Sequence, residues 1–217
     1  MPNIALVSVT LNAVNPMTDY FRSQSSDWTI RNYLDSYLLD KVKLEGGIND
    51  SSVKRMFDML STACDDGADV VLMTCTIFSP YAEHFSKILS KPIICPDQAM
   101  LENVAAQSGK KAILCTFTGT VDITRNQYIS CCRKAGKDET IDMIVLPDAY
   151  QAASIGDFQT HDRIIREKAA ALDKTYDHLV FAQISMARAA VGLQLDHATV
   201  HTSPSGAYES VKKLLMP

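Results

Sequence analysis

The distribution of apolar and polar positions along the chain predicts strands that alternate with helices. Short apolar runs, typical of strands buried on both faces, recur between segments whose apolar residues are spaced three and four apart. The predicted strands are residues 4–10, 70–73, 92–95, 111–116, 141–146, 179–184 and 198–201, with a looser candidate at 42–45. The predicted helices are residues 51–64, 81–89, 97–106, 121–134, 162–172, a segment opening at 185–188, and a terminal helix beginning at 203–204. This alternation predicts an α/β fold with a mainly parallel sheet covered on both faces.

The order of these elements occurs twice, at residues 4–107 and again at residues 111–215. We therefore predict two pseudo-symmetric, Rossmann-like half-domains with parallel four-stranded sheets, at residues 1–108 and 109–217, with a C-terminal helix able to cross over. Parallel sheets bind ligands at the carboxyl ends of their strands, so we expect the active site in the cleft between the half-domains. In this repeat, Cys75 corresponds to Ser185.

One stretch, residues 69–85, runs from a buried strand through a cysteine into a capped helix. Ser79 followed by Pro80 has the pattern of an N-cap and a first helical residue. Cys75 would lie near the positive end of that helix, which lowers a thiol pKa from about 8.5 and suits an anionic ligand. The alternative for Cys75 is a buried, inert thiol. Two other cysteines also end predicted strands and are weaker candidates, Cys95 and Cys115.

Composition and charge exclude several classes of function. The chain has 217 residues and a formal net charge of -4, so it lacks the basic footprint of a nucleic-acid binder. No apolar run approaches the roughly 20 residues that a membrane-spanning helix needs. The six cysteines lack the paired spacing with histidines that a zinc site requires. We expect a cytoplasmic protein with reduced thiols and no membrane or nucleic-acid partner.

Four stretches resemble the aspartate/glutamate/hydantoin racemase superfamily, which also contains maleate isomerases and arylmalonate decarboxylases. They are residues 71–76, 92–97, 111–114 together with 118–120, and 180–186, and the similarity in layout covers nearly the whole chain. The resemblance implies two pseudo-symmetric domains that place one cysteine each on opposite faces of a carboxylate substrate. One thiolate removes the α-proton and the other thiol returns one, so no metal or organic cofactor is implied. It also implies a possible homo-oligomer.

The sequence departs from this pattern at the second thiol. Cys75 matches the first cysteine, but Ser185 stands at the second, and Thr76 stands where an asparagine is usual. A serine hydroxyl without an adjacent base cannot take an α-proton at neutral pH. One thiol leaves three chemistries open: decarboxylation, cis–trans isomerisation of a maleate-like diacid, and proton exchange on one face. We expect a carbon-acid enzyme that uses this single thiol on a small carboxylate in decarboxylase- or isomerase-like chemistry. The two alternatives are a catalytically silent carboxylate binder and a true amino-acid or hydantoin racemase whose second base is unidentified.

Each of these chemistries needs donors that stabilise an oxyanion. The predicted catalytic residues are Cys75 and Ser185. The predicted substrate-binding residues are Asn12, Thr76, Ile77, Thr118, Gly119, Thr120, Met186 and Ala187. Two residues are weaker candidates: His201 is more simply a surface or satisfied histidine, and Arg188 is explained by a solvated helix face.

Overall fold

The structure, a computed structural model, describes residues 1–215. Its internal contacts divide the chain into two compact units. The first unit comprises Met1–Pro96 together with the residues from Ala207 onward, and the second comprises Asp97–Gly206. The boundary predicted from sequence lies after residue 108 instead. The contacts therefore assign residues 97–108 to the second unit and the end of the chain to the first.

The first unit is built on a parallel four-stranded sheet in the order β2-β1-β3-β4. Its strands are β1 (Asn3–Ser8), β2 (Thr29–Leu34), β3 (Val70–Met73) and β4 (Ile93–Ile94). Its helices are α1 (Leu11–Gln24), α2 (Leu38–Leu44), α3 (Asp50–Asp65) and α4 (Ala82–Leu89), with a 3-10 helix at Thr76–Tyr81. The two central strands, β1 and β3, are buried, as their continuous apolar runs predict.

The second unit repeats this arrangement with the strand order β6-β5-β7-β8. Its strands are β5 (Lys111–Cys115), β6 (Asp142–Val145), β7 (His178–Phe181) and β8 (Thr199–Thr202). Its helices are α5 (Pro96–Ala106), α6 (Val121–Ala135), α7 (Pro147–Ser154), α8 (Phe158–Leu172) and α9 (Ala187–Ala190). Two 3-10 helices, Thr118–Thr120 and Ile184–Met186, follow β5 and β7, and α10 (Ser203–Leu215) follows β8. The identical strand order in both units confirms the predicted pair of pseudo-symmetric half-domains with parallel four-stranded sheets.

Two expectations for the first unit are wrong. The polar sequence of residues 10–16, which ends in Asn15-Pro16, predicts a loop after the first strand, but α1 begins at Leu11 and contains Pro16. Residues 42–45 were a candidate strand, whereas Val42 lies in α2 and the second strand is β2. The reason is that β2 is an edge strand with exposed polar positions, so it carries no continuous apolar run. Leu38 and Val42, four residues apart, form the buried face of α2.

The last helix packs its second half against the first unit through aromatic contacts. The Tyr208 ring stacks on Trp28 with centroids 5.1 Å apart and meets the edge of Phe21 at 5.5 Å. The Tyr208 hydroxyl also lies 2.7 Å from the hydroxyl of Ser25. Aromatic pairs at these separations stabilise beyond the area that they bury. These contacts explain why the end of the chain belongs to the first unit. None of the helices within residues 1–215 is long and apolar enough to cross a membrane.

The turn before β8 is held by one carboxylate. Asp173, at the end of α8, accepts hydrogen bonds from the backbone N–H groups of Asp196, His197 and Ala198 at 2.9, 3.1 and 2.7 Å. These bonds, that from Ala198 above all, lower the pKa of Asp173 below its ordinary value.

A pH dependence of stability follows from this carboxylate. Its stabilisation is complete above the unfolded-state pKa of about 3.9 and is lost as the pH falls through the lower folded-state pKa. We expect Asp173→Asn to flatten the dependence of the unfolding free energy on pH below about pH 4, relative to wild type. Urea unfolding at a series of acidic pH values measures this, and parallel curves for the two proteins would contradict it.

Candidate active site

Equivalent positions of the two sheets are identified by their register. In the first unit, β1 pairs with β3 up to Val7 opposite Met73, and in the second unit β5 pairs with β7 up to Leu114 opposite Phe181. The next residue in each case donates its backbone N–H across the sheet, Thr74 to Val7 O at 2.9 Å and Ala182 to Leu114 O at 3.0 Å. Thr74 and Ala182 are therefore equivalent. The residues that follow them, Cys75 and Gln183, occupy the same place in the two units.

Cys75 and Gln183 also share a local conformation. Each is the N-cap of a 3-10 helix and has extended backbone angles, with φ of -131° at Cys75 and -102° at Gln183. Ser185, which the sequence pairs with Cys75, lies two residues further on, inside the second 3-10 helix, and its internal equivalent is Ile77. The register thus corrects the pairing to Cys75 with Gln183. The sequence predicts a strand over 179–184, but the observed strand ends at Phe181. The predicted strand end therefore lay too far along the chain, and the residue paired with Cys75 was displaced from Gln183 to Ser185.

Cys75 lies at the carboxyl end of β3, directly before the helix that follows. It is buried, with 8% of its surface exposed, and Phe78 N–H donates to its carbonyl at 3.1 Å. The expected N-cap at Ser79 is wrong, because the 3-10 helix already begins at Thr76 and the Ser79 hydroxyl donates to Thr76 O at 2.6 Å. Thr76 and Ile77 are consequently the first two residues of this 3-10 helix, whereas the sequence predicts a helix only from residue 81.

The carboxyl ends of β1 and β3 are joined by a buried hydroxyl pair. Ser8 Oγ and Thr74 Oγ1 lie 2.7 Å apart, and Thr74 Oγ1 is 3.2 Å from Val7 O. This pair fixes the backbone one residue before Cys75. Asn12, a predicted substrate contact, lies in the first turn of α1, half-buried, just beyond the end of β1. All of these groups belong to the first unit.

The corresponding turn of the second unit is organised by Gln183. Its side-chain oxygen accepts the N–H of Thr116 at 2.8 Å, and its side-chain nitrogen donates to Thr120 Oγ1 at 2.8 Å. Thr120 Oγ1 in turn donates to Phe117 O at 2.8 Å. The carboxamide therefore links the end of β7 to both ends of the segment 116–120. We refer to this segment as the β5 turn. Sequence reasoning missed this role of Gln183.

Gly119 is required in the β5 turn because a ring lies against it. A Cβ atom at this position would stand 2.7 Å from the Phe117 ring, which is closer than van der Waals contact allows. The Phe117 ring is itself stacked on Tyr150 of α7, with centroids 5.1 Å apart. The close approach of the ring, rather than a positive φ, is therefore what excludes a side chain here. Thr118 and Gly119 remain the exposed residues of the turn.

Several predicted oxyanion donors are engaged within the second unit. The N–H of Met186 donates to Gln183 O at 3.0 Å, and that of Ala187 donates to Ile184 O. Both backbone N–H groups are used in helical hydrogen bonds, because the 3-10 helix already begins at Ile184. The hydroxyl of Thr120 is likewise donated to Phe117 O.

The remaining cysteine and cation candidates have other partners. Burial raises the pKa of Cys115 to about 12, although hydrogen bonds with Gln183 and Thr120 act in the opposite direction. A thiol of that pKa is neutral at physiological pH and a weak nucleophile. Arg188 donates to Asp162 Oδ2 at 3.0 Å and lies over the Phe158 ring, so its charge is balanced inside the unit.

His201 forms a histidine pair within the second unit. Its Nε2 lies 3.1 Å from His178 Nδ1, and His178 Nε2 lies 2.9 Å from Ser108 O. Because a carbonyl only accepts, His178 Nε2 donates to Ser108, which leaves His178 Nδ1 to accept from His201 when both rings are neutral. Burial, with the neighbouring His178, lowers the pKa of His201 to about 4. His201 is therefore a satisfied, neutral histidine. Within residues 1–215, no group of three or more His, Cys, Asp or Glu residues is placed to hold a metal ion.

Comparison with known proteins relates the chain to racemases through its structure. No protein-family model matches the sequence, and no curated protein matches it. An aspartate racemase from Picrophilus torridus is similar with a TM-score of 0.77 at 12% identity, over 98% of this chain and 94% of that one. The glutamate racemase isoform RacE1 from Bacillus anthracis has a TM-score of 0.71 at 12% identity, over 99% and 81%. Allantoin racemase from Klebsiella pneumoniae has a TM-score of 0.69 at 16% identity, over 99% and 88%. The chain therefore has the fold of these aspartate, glutamate and allantoin racemases, which is the fold that the sequence resemblance predicts.

Proposed function

We propose that the chain is a cofactor-independent carbon-acid enzyme of the aspartate/glutamate racemase superfamily that uses one thiol, Cys75, on a small carboxylate. The observation that carries the proposal is the pair of equivalent positions occupied by Cys75 and Gln183. A thiol can donate and accept a proton near neutral pH, whereas a carboxamide has no group that titrates there. The first unit thus has an acid–base group at this position, Cys75, whereas the second unit has none there.

This asymmetry favours decarboxylation or isomerisation over racemisation. In a decarboxylation, the substrate C–C bond breaks, carbon dioxide leaves, and the electron pair stays on the α-carbon. The Cys75 thiol then transfers its proton to that carbon and is left as a thiolate, which water reprotonates. In an isomerisation, the thiolate adds to an activated double bond and leaves again after rotation. Racemisation needs a second acid–base group on the other face, and Gln183 cannot serve as one.

The β5 turn supports binding of the carboxylate. Thr118 and Gly119 are exposed there, and backbone N–H and hydroxyl donors are the groups that hold developing negative charge. A single donor of this kind is worth about 3 kcal/mol in a transition state. The neutral donors suit a small anionic substrate, and they require neither a metal nor an organic cofactor.

The experiment is a screen in heavy water over malonates, maleate, amino acids and hydantoins, with products analysed for deuterium and chirality. We expect turnover of a malonate or a maleate-like diacid, with deuterium delivered to one face of the carbon only. Deuterium incorporation at Cα from both enantiomers of an amino acid or hydantoin would reveal a second base and contradict the proposal.

A catalytically silent carboxylate binder is the second candidate. It is favoured by Gln183, whose side chain is engaged in hydrogen bonds on both its oxygen and its nitrogen. This candidate predicts slow labelling of Cys75 by iodoacetamide and unchanged malonate binding in Cys75→Ala. The carbon-acid enzyme predicts faster labelling of Cys75 than of Cys115, whose thiol stays neutral.

A further inference from the structure

We infer that Gln183 is a positioning residue that holds the β5 turn in its anion-binding conformation. The inference rests on the proposed function, because it assigns the β5 turn to the substrate carboxylate. It adds a role for a residue at the place equivalent to Cys75.

The carboxamide of Gln183 fits the turn because the turn offers two donors, the N–H and the hydroxyl of Thr116, and one acceptor, the hydroxyl oxygen of Thr120. Thr116 presents an N–H, which the side-chain oxygen accepts at 2.8 Å. Thr120 presents a hydroxyl oxygen, which receives the side-chain N–H at 2.8 Å. A carboxylate at the same place would offer two acceptors and no donor. The hydrogen bond to Thr120 would then be lost, or the Thr120 hydroxyl would have to turn away from Phe117 O.

The constraint passes from Thr120 to the exposed part of the turn. Thr120 donates to Phe117 O at 2.8 Å, and the Phe117 ring lies against Gly119. Stacking on Tyr150 fixes the plane of that ring. A change at Gln183 therefore reaches Gly119 through two hydrogen bonds, from Gln183 to Thr120 and from Thr120 to Phe117 O, and through the contact of the Phe117 ring. Residues 116 and 183 are 67 positions apart in sequence, so the turn is not held by local geometry alone.

A negative charge at position 183 would lie beside the Cys115 thiol of β5, with which Gln183 forms a hydrogen bond. The nearest arginine or lysine along the chain is Arg188 of α9. Burial and, to a smaller extent, the charge of Asp97 raise the pKa of Cys115 to about 12, so this thiol is neutral. The guanidinium of Arg188 is already paired with Asp162 at 3.0 Å. A carboxylate at 183 would also repel an anion bound by the turn.

The test uses Gln183→Glu, with malonate as the probe and isothermal titration calorimetry at pH 5 and pH 8. At pH 8 we expect Gln183→Glu to weaken malonate binding by about a hundred-fold relative to wild type, because the turn loses a donor and gains a like charge. At pH 5 we expect the ratio of the two dissociation constants to fall by about ten-fold. Partial burial, and a hydrogen bond that only the protonated form donates to Thr120, would raise the pKa of the introduced carboxyl above its ordinary value of about 4.3, so that the neutral form is populated at this pH. A merely structural role of Gln183 would give a ratio that does not depend on pH.

Two further variants separate positioning from charge and from folding. Gln183→Ala should weaken malonate binding at both pH values alike and should speed hydrogen exchange of the Thr116 amide, which loses its acceptor. Gln194→Glu introduces the same charge at an exposed position of the same unit and should change neither binding nor exchange. Unchanged melting temperatures identify variants that fold.

The outcomes distinguish this inference from the proposed function. If Cys75-dependent proton exchange occurs in wild type and Gln183→Glu binds malonate as tightly as wild type, the proposed function stands and the inference is overturned. An unchanged Thr116 exchange rate in Gln183→Ala overturns it as well. If wild type fails to bind malonate at either pH, the β5 turn is not an anion site, and the inference is overturned even where Cys75-dependent exchange of another substrate is found.

Discussion

Cys75→Ala is expected to abolish turnover of any substrate found by the heavy-water screen, lowering kcat by about a thousand-fold or more. The reason is that the variant removes the proposed proton donor and leaves only groups that bind the substrate. Folding should persist, because the change deletes a single sulfur atom from a side chain of the first unit that already exposes 8% of its surface. Deuterium incorporation per unit time, measured at saturating substrate, is the readout.

Two matched variants control this experiment. Cys64→Ala removes a half-buried thiol on α3, and Cys115→Ala removes a buried thiol whose pKa is raised to about 12. We expect Cys64→Ala to retain full activity and Cys115→Ala to lose stability more than activity. Wild-type turnover in Cys75→Ala would rule out a role for this thiol, and complete loss in Cys115→Ala with an intact fold would move the chemistry to the second unit.

Gly109→Ala is expected to destabilise the protein by about 3 kcal/mol. Gly109 precedes β5 with φ of +102°, a conformation that residues with a Cβ adopt only with strain. A Cβ here would also lie 2.6 Å from Asp177 Oδ2 and 2.8 Å from Asp177 Cβ. The added atom would displace the carboxylate that accepts Lys110 N–H at 2.6 Å and His197 Nε2 at 3.0 Å. Backbone strain, steric overlap and lost hydrogen bonds therefore all lower the stability of Gly109→Ala.

The matched control is Gly67→Ala, which has φ of +84° but no heavy atom within 4 Å of the added Cβ. It isolates the backbone strain, for which we expect about 1 kcal/mol. Chemical denaturation of both variants, compared with wild type, gives the two free energies. Equal losses of unfolding free energy in Gly109→Ala and Gly67→Ala would contradict this, because they would mean that the Asp177 side chain moves away from the added Cβ at no cost in stability.

The sequence predicts the core of this fold because the central strands carry the strongest signal. β3 is four buried apolar residues, and its predicted bounds match the observed ones. The edge strand β2 was not predicted, because exposed polar residues interrupt its apolar positions. Helix α7 was missed too, since its buried residues are alanines, which stand out little from their neighbours: Ala149, Ala152 and Ala153.

The candidate site was less predictable, because its parts come from distant segments. The position of Cys75 followed from a local pattern of strand and turn, and the structure places it at the end of β3 as expected. The role of Gln183 depends on contacts with Thr116 and Thr120, 67 and 63 positions away. The residues around position 183 carry no local pattern that predicts those contacts. The pairing of β5 with β7 brings Gln183 close to Thr116 and Thr120, and its register shows where β7 ends.

The stacking of Tyr208 on Trp28 has a spectroscopic consequence. The chain contains a single tryptophan, and it lies 5.1 Å from the tyrosine ring of the last helix. Its indole is buried, with 5% of the residue exposed. Emission excited selectively through the indole, at wavelengths where the eight tyrosines absorb little, therefore comes from Trp28 alone, and its intensity and wavelength report whether Tyr208 of the last helix is docked.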